Sequence, residues 1–167
     1  YITTAVGKFK RTTSFGTYDK YISEQLKVDD LLHIGFTSGT TGLPKAYYRN
    51  EPSWIASYVE NEKLIYNYEK ALAAPGPLAH SLSLYTCIFA LYSGRTFIGQ
   101  RQFDAKRFIS ILNEQHSNIA LFLVPTMLHQ LLNVDTTITH IKSIFCSGAK
   151  LSESLFKTVS QQFKNAN

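Results

Sequence analysis

Hydrophobic residues from about residue 31 onward occur in two alternating patterns. Short runs predict strands at Ala71–Ala74, Arg95–Gly99, Ile119–Val124 and Ile141–Cys146, of which Ile119–Val124 is rich in apolar and β-branched residues. Between and after them, helical spacing predicts helices at Leu82–Tyr92, from Asp104 to about Gln115, from Thr126 to about Asn133, and after Ser152. Strands that alternate with helices of this length indicate βαβ units. We therefore predict an α/β fold with a mainly parallel sheet and flanking helices.

Capping residues and aromatic residues refine these helices. Asn50, Asp104 and Ser152 each precede a helical pattern and can accept hydrogen bonds from the first backbone N–H groups. Phe103 and Phe108 stand at the positions of a hydrophobic staple around one of these caps. Two packing faces are predicted: one of Trp54, Ile55, Tyr58, Val59, Ile65 and Tyr66, the other of Leu155, Phe156, Val159 and Phe163.

The first part of the chain has a weaker pattern. Residues 1 to 28 mix Lys, Thr, Ser and Tyr without a period, which predicts irregular structure with one short helix near Tyr18–Leu26. Leu31–Phe36 predicts a buried strand that leads into a polar loop. Lys45–Arg49 predicts a second strand, paired with the first as a hairpin.

Composition and charge are those of a globular protein. Hydrophobic residues make up 44% and charged residues 17%, and no apolar run is long enough to span a bilayer. With no signal peptide pattern, we expect a cytoplasmic protein with no transmembrane segment. The net charge is +5, but the basic residues are scattered outside a cluster at Lys8, Lys10 and Arg11, so nucleic acid is not an expected partner. Cys87 and Cys146 are expected to be buried free thiols, and no histidine spacing predicts a metal ligand set.

One polar segment carries the residue types that bind polyphosphates. It reads Thr37-Ser38-Gly39-Thr40-Thr41-Gly42-Leu43-Pro44-Lys45 and directly follows the first predicted strand. Glycines let backbone N–H groups approach a phosphate, hydroxyls donate hydrogen bonds, and a loop lysine adds a mobile positive charge. It is not a Walker A loop, because Pro44 replaces the second glycine and Ala46 replaces Ser or Thr. By composition alone, a polar hairpin turn is an equally good interpretation.

Residues 34–45, IGFTSGTTGLPK, resemble the signature loop of the adenylate-forming superfamily of acyl-CoA synthetases, peptide-synthetase adenylation domains and luciferases. Pro77-Leu78-Ala79-His80 is similar to the Pro-x-x-His element of that family, and Ser147-Gly148-Ala149-Lys150-Leu151 is similar to its Gly-Gly-Ala-Pro-Leu loop. Val124–Leu128 is also typical of these enzymes. Ser147 and Lys150 depart from a common glycine and a common proline, and Ala46–Asn50 departs from the usual sequence after the loop lysine, which indicates an outlying subgroup.

The resemblance implies a domain assignment. Residues 1–167 are expected to be a partial AMP-binding domain, a piece of the large N-terminal domain of an adenylate-forming enzyme, without the C-terminal domain. The motifs that hold magnesium and ribose in the family, and its C-terminal lysine, are not found in the sequence. We therefore expect this chain alone to be inactive.

The resemblance also implies a reaction and a set of site residues. With ATP, which brings Mg²⁺, the parent enzyme is expected to activate a carboxylic acid, most simply a fatty acid, as an acyl-adenylate and to transfer it to CoA. Lys45 and His80 are the expected catalytic residues, with His80 near the substrate carboxylate. The expected nucleotide-binding residues are Thr37, Ser38, Gly39, Thr40, Thr41 and Gly42 on the pyrophosphate side, and Gly148, Ala149 and Lys150 beside adenine. Two alternatives stay open: an amino-acid adenylation domain that loads a carrier protein, and a non-catalytic nucleotide-binding module.

Overall fold

The structure, a computed structural model, describes residues 32–37, 45–135, 139–163 and 166. The predicted helix near Tyr18–Leu26 lies outside the described residues. The chain divides into two compact units, residues 1–53 and 54–167. The elements are β1 (His33–Thr37), β2 (Lys45–Arg49), α1 (Glu51–Glu62), β3 (Glu69–Pro75), α2 (Ser81–Tyr92), β4 (Thr96–Gln100), α3 (Ala105–Asn113), β5 (Asn118–Leu123), α4 (Pro125–Leu132), β6 (Ile141–Cys146) and α5 (Glu153–Gln162).

The described part of the first unit is an antiparallel hairpin. Strands β1 and β2 pair in a register that sets His33 opposite Arg49 and Thr37 opposite Lys45. At the end of β2, the Arg49 Nε donates a 2.9 Å hydrogen bond to the Ser53 hydroxyl. The Ser53 N–H in turn donates to Asn50 Oδ1 at 3.1 Å. The predicted hairpin and the predicted Asn50 cap are both confirmed. The prediction that the first strand is buried is wrong, because Phe36 is 51% exposed in this two-stranded hairpin.

The described part of the second unit is built on a parallel sheet of strand order β4-β3-β5-β6. All three strand pairs of this sheet are parallel. The predicted α/β fold with a mainly parallel sheet is therefore confirmed. Because the four strands run in the same direction, their carboxyl ends meet at one edge of the sheet, where open α/β sheets bind their ligands.

Helices cover both faces of this sheet. Successive side chains of a strand point to opposite faces, so Ala71 and Ala73 of β3 contribute to one core and Leu72 and Ala74 to the other. The first core adds α3 and α4, through Phe108, Ile109, Leu112, Leu128 and Leu131. The second core adds α1 and α2, through Trp54, Tyr58, Phe89 and Ala90. A sheet covered on both faces explains why its central strands β3 and β5 have nearly continuous apolar sequences.

Local signals set the ends of several helices. The Asp104 carboxylate accepts a 2.8 Å hydrogen bond from the Arg107 N–H at the start of α3. The Ser152 hydroxyl accepts one from the Leu155 N–H at 3.2 Å. Both predicted caps are confirmed. Helix α4 begins at Pro125, in the first turn where proline loses no helical hydrogen bond.

Three predictions about the packing faces of helices are wrong. Helix α1 ends at Glu62, so Tyr66 lies beyond it, where its ring stacks on that of Tyr68 at 5.0 Å instead of joining a helical stripe. Val59, on the outer side of α1, is 49% exposed. Phe156 is 59% exposed, because the largely polar helix α5 contacts the core only along one narrow side.

Within the described residues, no helix is long and apolar enough to cross a membrane.

Candidate functional site

The candidate site lies at the carboxyl edge of the parallel sheet. Strands β3, β4, β5 and β6 end there at Pro75, Gln100, Leu123 and Cys146. Backbone hydrogen bonds carry the sheet pattern just past these ends: Gly76 N–H donates to the Gln100 carbonyl at 2.7 Å, and Ser147 N–H donates to the Leu123 carbonyl at 3.0 Å. The segments that leave the strands therefore start from fixed positions.

A cleft of about 420 Å³ opens between the segments that follow β3, β4 and β5. Its apolar walls come from Pro75, Pro77, Leu82, Phe103, Val124 and Met127. Its polar lining includes His80, Ser81, Ser83, Arg101 and Gln102, and none of the described residues that line it is acidic. Apolar walls with a few polar groups are typical of a small-molecule pocket.

His80 stands at the mouth of this cleft and at the start of α2. Its N–H donates to the Pro77 carbonyl at 2.9 Å, and its own carbonyl accepts from Leu84 N–H at 3.0 Å. The backbone at this N-cap position is extended, and the imidazole makes no capping hydrogen bond. The side chain is exposed. The imidazole therefore lines the cleft and does not cap the start of the helix.

The position of α2 against the end of β3 is fixed by a buried serine. The Ser83 hydroxyl donates a 3.1 Å hydrogen bond to the Pro75 carbonyl. This bond satisfies a carbonyl at the strand end and holds the first turn of α2 beside it. It thereby also fixes His80, three residues earlier, relative to the sheet.

The loop after β6 lies beside Val124, a residue of the cleft wall. Gly148 has a φ of +88°, and a Cβ placed there would lie 3.3 Å from Val124 Cγ1. Val124 also lines the cleft that contains His80. Lys150 instead lines a neighbouring groove of about 420 Å³ with Thr126, His129 and Ser152, among others. The structure thus brings His80 and Gly148 to one edge, with Ala149 exposed beside Gly148 and Lys150 turned to the adjacent groove.

The predicted phosphate loop is described only at its two ends. Thr37 and Lys45 are paired across the hairpin in the register of β1 and β2, and their side chains lie outside the described part. The five predicted phosphate-binding residues between them, Ser38, Gly39, Thr40, Thr41 and Gly42, lie outside the described residues. Their assignment stays a prediction.

Two charged residues were not predicted from the sequence. Arg101 is the first residue after β4 and lines the cleft with His80; its position after a strand is the signal that points to the binding edge. Glu69, at the opposite end of the sheet, is fully buried, and its Oε2 accepts from Tyr66 N–H at 2.6 Å and from the Ser143 hydroxyl at 3.1 Å. No sequence signal identifies this carboxylate, which joins β3 to β6.

The cysteines have the character of structural thiols. Both are free, and burial raises the pKa of the Cys87 and Cys146 thiols. A raised pKa lowers the fraction of reactive thiolate at neutral pH. Cys87 is buried as predicted, whereas Cys146 is only partly buried, because β6 is an edge strand of the described sheet. The described residues include no group of His, Cys, Asp and Glu that could hold a metal ion.

Sequence comparison identifies the class of protein. The family described as AMP-binding enzyme matches residues 3–167. The chain belongs to this family, which confirms the resemblance to adenylate-forming enzymes.

The particular relatives are acyl-CoA ligases by name. The chain is 97% identical over 167 residues to "Putative long chain fatty acid-CoA ligase VraA" of Staphylococcus haemolyticus (strain JCSC1435), covering 100% of the chain and 36% of that protein. A relative of the same name in Staphylococcus aureus (strain COL) is 54% identical over 142 residues, covering 83% of the chain and 30% of that protein. Among solved structures, the N-terminal domain of FACL13 from Mycobacterium tuberculosis matches with a TM-score of 0.69 and 29% identity, over 85% of this chain and 36% of that one. The chain spans about a third of the length of the curated relatives it matches.

Proposed function

We propose that this chain is part of the N-terminal domain of an ATP-dependent acyl-CoA ligase. That ligase joins a carboxylic acid to AMP as an acyl-adenylate and then transfers the acyl group to CoA. The observation that carries the proposal is that two motif segments, Pro77–His80 and Ser147–Lys150, both follow strands at the carboxyl edge of the parallel sheet. Val124 links them, because it lines the cleft of His80 and lies 3.3 Å from the position of a Cβ on Gly148. Membership of the AMP-binding enzyme family supports it.

The chemistry explains why these residue types are needed. A carboxylate attacks the α-phosphorus of ATP, so two anions must be held in line while negative charge develops on the leaving pyrophosphate. In this proposal His80 lies beside the acid, and Gly148, Ala149 and Lys150 lie along the adenine. Residues Thr37–Gly42 and Lys45 bind the pyrophosphate side, where Lys45 compensates the developing charge. Mg²⁺ arrives with the nucleotide.

The proposed acid is a long-chain fatty acid. The names of the relatives suggest it, and the apolar walls of the cleft are suited to an alkyl chain. An amino-acid substrate would need a carboxylate to pair with its ammonium group. None of the described residues that line the cleft is acidic, which favours the fatty acid over the amino acid.

Acid-dependent exchange between pyrophosphate and ATP tests the proposal in a full-length protein that contains this chain. Hexadecanoic acid, octanoic acid and a set of amino acids are compared, and CoA is then added to detect the thioester. We expect exchange with the fatty acids and thioester formation with CoA. Exchange with amino acids alone, or no exchange with any acid, would refute the proposal.

Matched histidine variants test the site within the same assay. His80→Ala is expected to slow exchange by at least about tenfold, since positioning effects on catalysis are of that order or larger. His116→Ala removes an exposed histidine at the opposite, amino edge of the sheet, just before β5. If both variants lose activity equally, His80 has no special place in the reaction.

A further inference from the structure

Arg101 lies in the cleft but has no role in the reaction as proposed above. It follows β4 directly and lines the cleft that contains His80. The side chain is exposed, and no ion pair or hydrogen bond links it to another residue in the part of the chain that the structure describes. A guanidinium group is always charged at physiological pH and presents a planar fork of donors that matches a carboxylate.

Arg95, at the other end of β4, has a structural role that contrasts with the position of Arg101. Arg95, just before β4, has a side chain only 9% exposed and forms an ion pair with Glu62. Its Nε also donates a 2.9 Å hydrogen bond to the Glu69 carbonyl. Arg95 is thus used to hold the amino edge of the sheet together, whereas Arg101 extends into the cleft at the carboxyl edge.

The surroundings of Arg101 favour an anionic ligand. The cleft has apolar walls, and no described residue of its lining is acidic, so the charge of Arg101 is not neutralised within the cleft. Arginine binds carboxylates through charge-assisted and often bidentate hydrogen bonds.

The strand order indicates whether the anion bound by Arg101 belongs to the acid or to the nucleotide. Strand β4 is the neighbour of β3, which leads to His80, but it lies three strand positions from β6, which leads to Gly148. At about 4.8 Å per step, β4 and β6 are about 14 Å apart. Arg101 is therefore close to the residue assigned to the acid and distant from the loop assigned to adenine.

We propose that Arg101 binds the carboxylate of the acid substrate and gives the cleft its preference for anionic over neutral ligands. The inference rests on the proposed function, because it names the group that holds the substrate of that reaction. Arg101 acts in substrate binding, so its removal affects the Michaelis constant for the acid more than the constant for ATP.

Kinetics of the full-length protein test the role with a matched control. Arg101→Gln removes the charge in the cleft, Arg101→Lys keeps a charge but loses the fork, and Arg107→Gln removes an exposed charge from α3 outside the cleft. We expect Arg101→Gln to raise KM for hexadecanoic acid about tenfold, the effect of one charge-assisted hydrogen bond at an exposed site. KM for ATP should stay unchanged, Arg101→Lys should recover part of the loss, and Arg107→Gln should behave as wild type.

Inhibition by unreactive analogues provides a readout that a merely structural role would not change. Hexadecanesulfonate carries a permanent anion, and hexadecanol of the same chain length carries none. Wild type should bind the sulfonate more tightly than the alcohol, and Arg101→Gln should reduce that preference about tenfold while leaving the alcohol unaffected.

The two proposals fail in different ways. A wild-type protein that forms no adenylate with any acid would refute the proposed function, and this inference with it. If wild type is active but Arg101→Gln keeps the KM for the acid and the preference for the sulfonate, only the role of Arg101 is refuted. The same holds if Arg107→Gln produces an equal change.

Discussion

The substitution Gly148→Ala probes the loop after β6 at the point where it approaches Val124 in the wall of the cleft. Gly148 has a φ of +88°, in the left-handed region that L-residues rarely adopt. The added methyl group would lie 3.3 Å from Val124 Cγ1, which is closer than an ordinary carbon–carbon contact. The substitution therefore strains the backbone and presses on a residue of the cleft wall.

Gly94→Ala provides a reference for the loss in free energy of unfolding expected of Gly148→Ala. Gly94 has a φ of +67° and lies before β4 at the opposite edge of the sheet, and a Cβ there would meet nothing within 4 Å. Gly94→Ala thus carries the backbone cost alone, about 1 kcal/mol after the smaller entropy of the unfolded alanine chain is taken into account. Gly148→Ala adds local overpacking of about 1 kcal/mol or more, so we expect a loss of about 2 to 3 kcal/mol.

The chain offers a convenient probe for this measurement. It contains a single tryptophan, Trp54, which is buried in the core that α1 shares with the sheet. Urea unfolding followed by its fluorescence gives the free energy of unfolding of each variant. In the full-length protein, Gly148→Ala should also raise KM for ATP several-fold, whereas Gly94→Ala should not. Equal losses of stability in the two variants would show that the Val124 contact has no cost, and an unchanged KM for ATP would refute the placement of the loop along the nucleotide.

Further predictions address the loop, a helix cap and the thiols. In the full-length protein, Lys45→Ala should slow pyrophosphate exchange more than it weakens acid binding, because a mobile cation acts on the charge that develops on pyrophosphate; an unchanged exchange rate would contradict the loop assignment. Asp104→Ala should lower the free energy of unfolding by about 1 kcal/mol, through loss of the hydrogen bond from Arg107 N–H, whereas Asp104→Asn keeps an acceptor. Because burial raises the pKa of Cys87 and Cys146, iodoacetamide at pH 8 should label both more slowly in native protein than in urea, with the buried Cys87 the slower of the two; equal native and unfolded rates by mass spectrometry would contradict this.

Local sequence determined the elements of the fold because the sheet is buried on both faces. The central strands β3 and β5 need apolar side chains on two sides, which produces the continuous runs at Ala71–Ala74 and Ile119–Val124 that were predicted within a few residues. The caps at Asp104 and Ser152 were equally predictable, since an N-cap depends on contacts within four residues.

The exposure of individual side chains depends on tertiary contacts that local sequence patterns do not predict. Val59 and Phe156 fit a helical stripe, yet they are exposed, because how much of a helix is covered depends on neighbours that are distant in sequence. Glu69 is fully buried, and one of the donors to its carboxylate, the Ser143 hydroxyl, comes from a strand that is distant in sequence. Arg101 lies in the same cleft as His80 because β4 pairs with β3, and no local sequence pattern specifies that pairing.

The same strand order places two separate motifs at the same edge of the sheet, as the proposed site requires. Pro77–His80 follows β3 and Ser147–Lys150 follows β6, and β5 lies between them in the sheet. Val124, the first residue after β5, consequently lines the cleft of His80 and also lies under Gly148. In the proposed site, two steps of about 4.8 Å separate the segments assigned to the acid and to adenine by about 10 Å, a distance that the ribose and α-phosphate of an acyl-adenylate would span. In the proposed reaction, β5 thus sets the separation between the acid side and the adenine side, and Val124, the residue after it, contacts both.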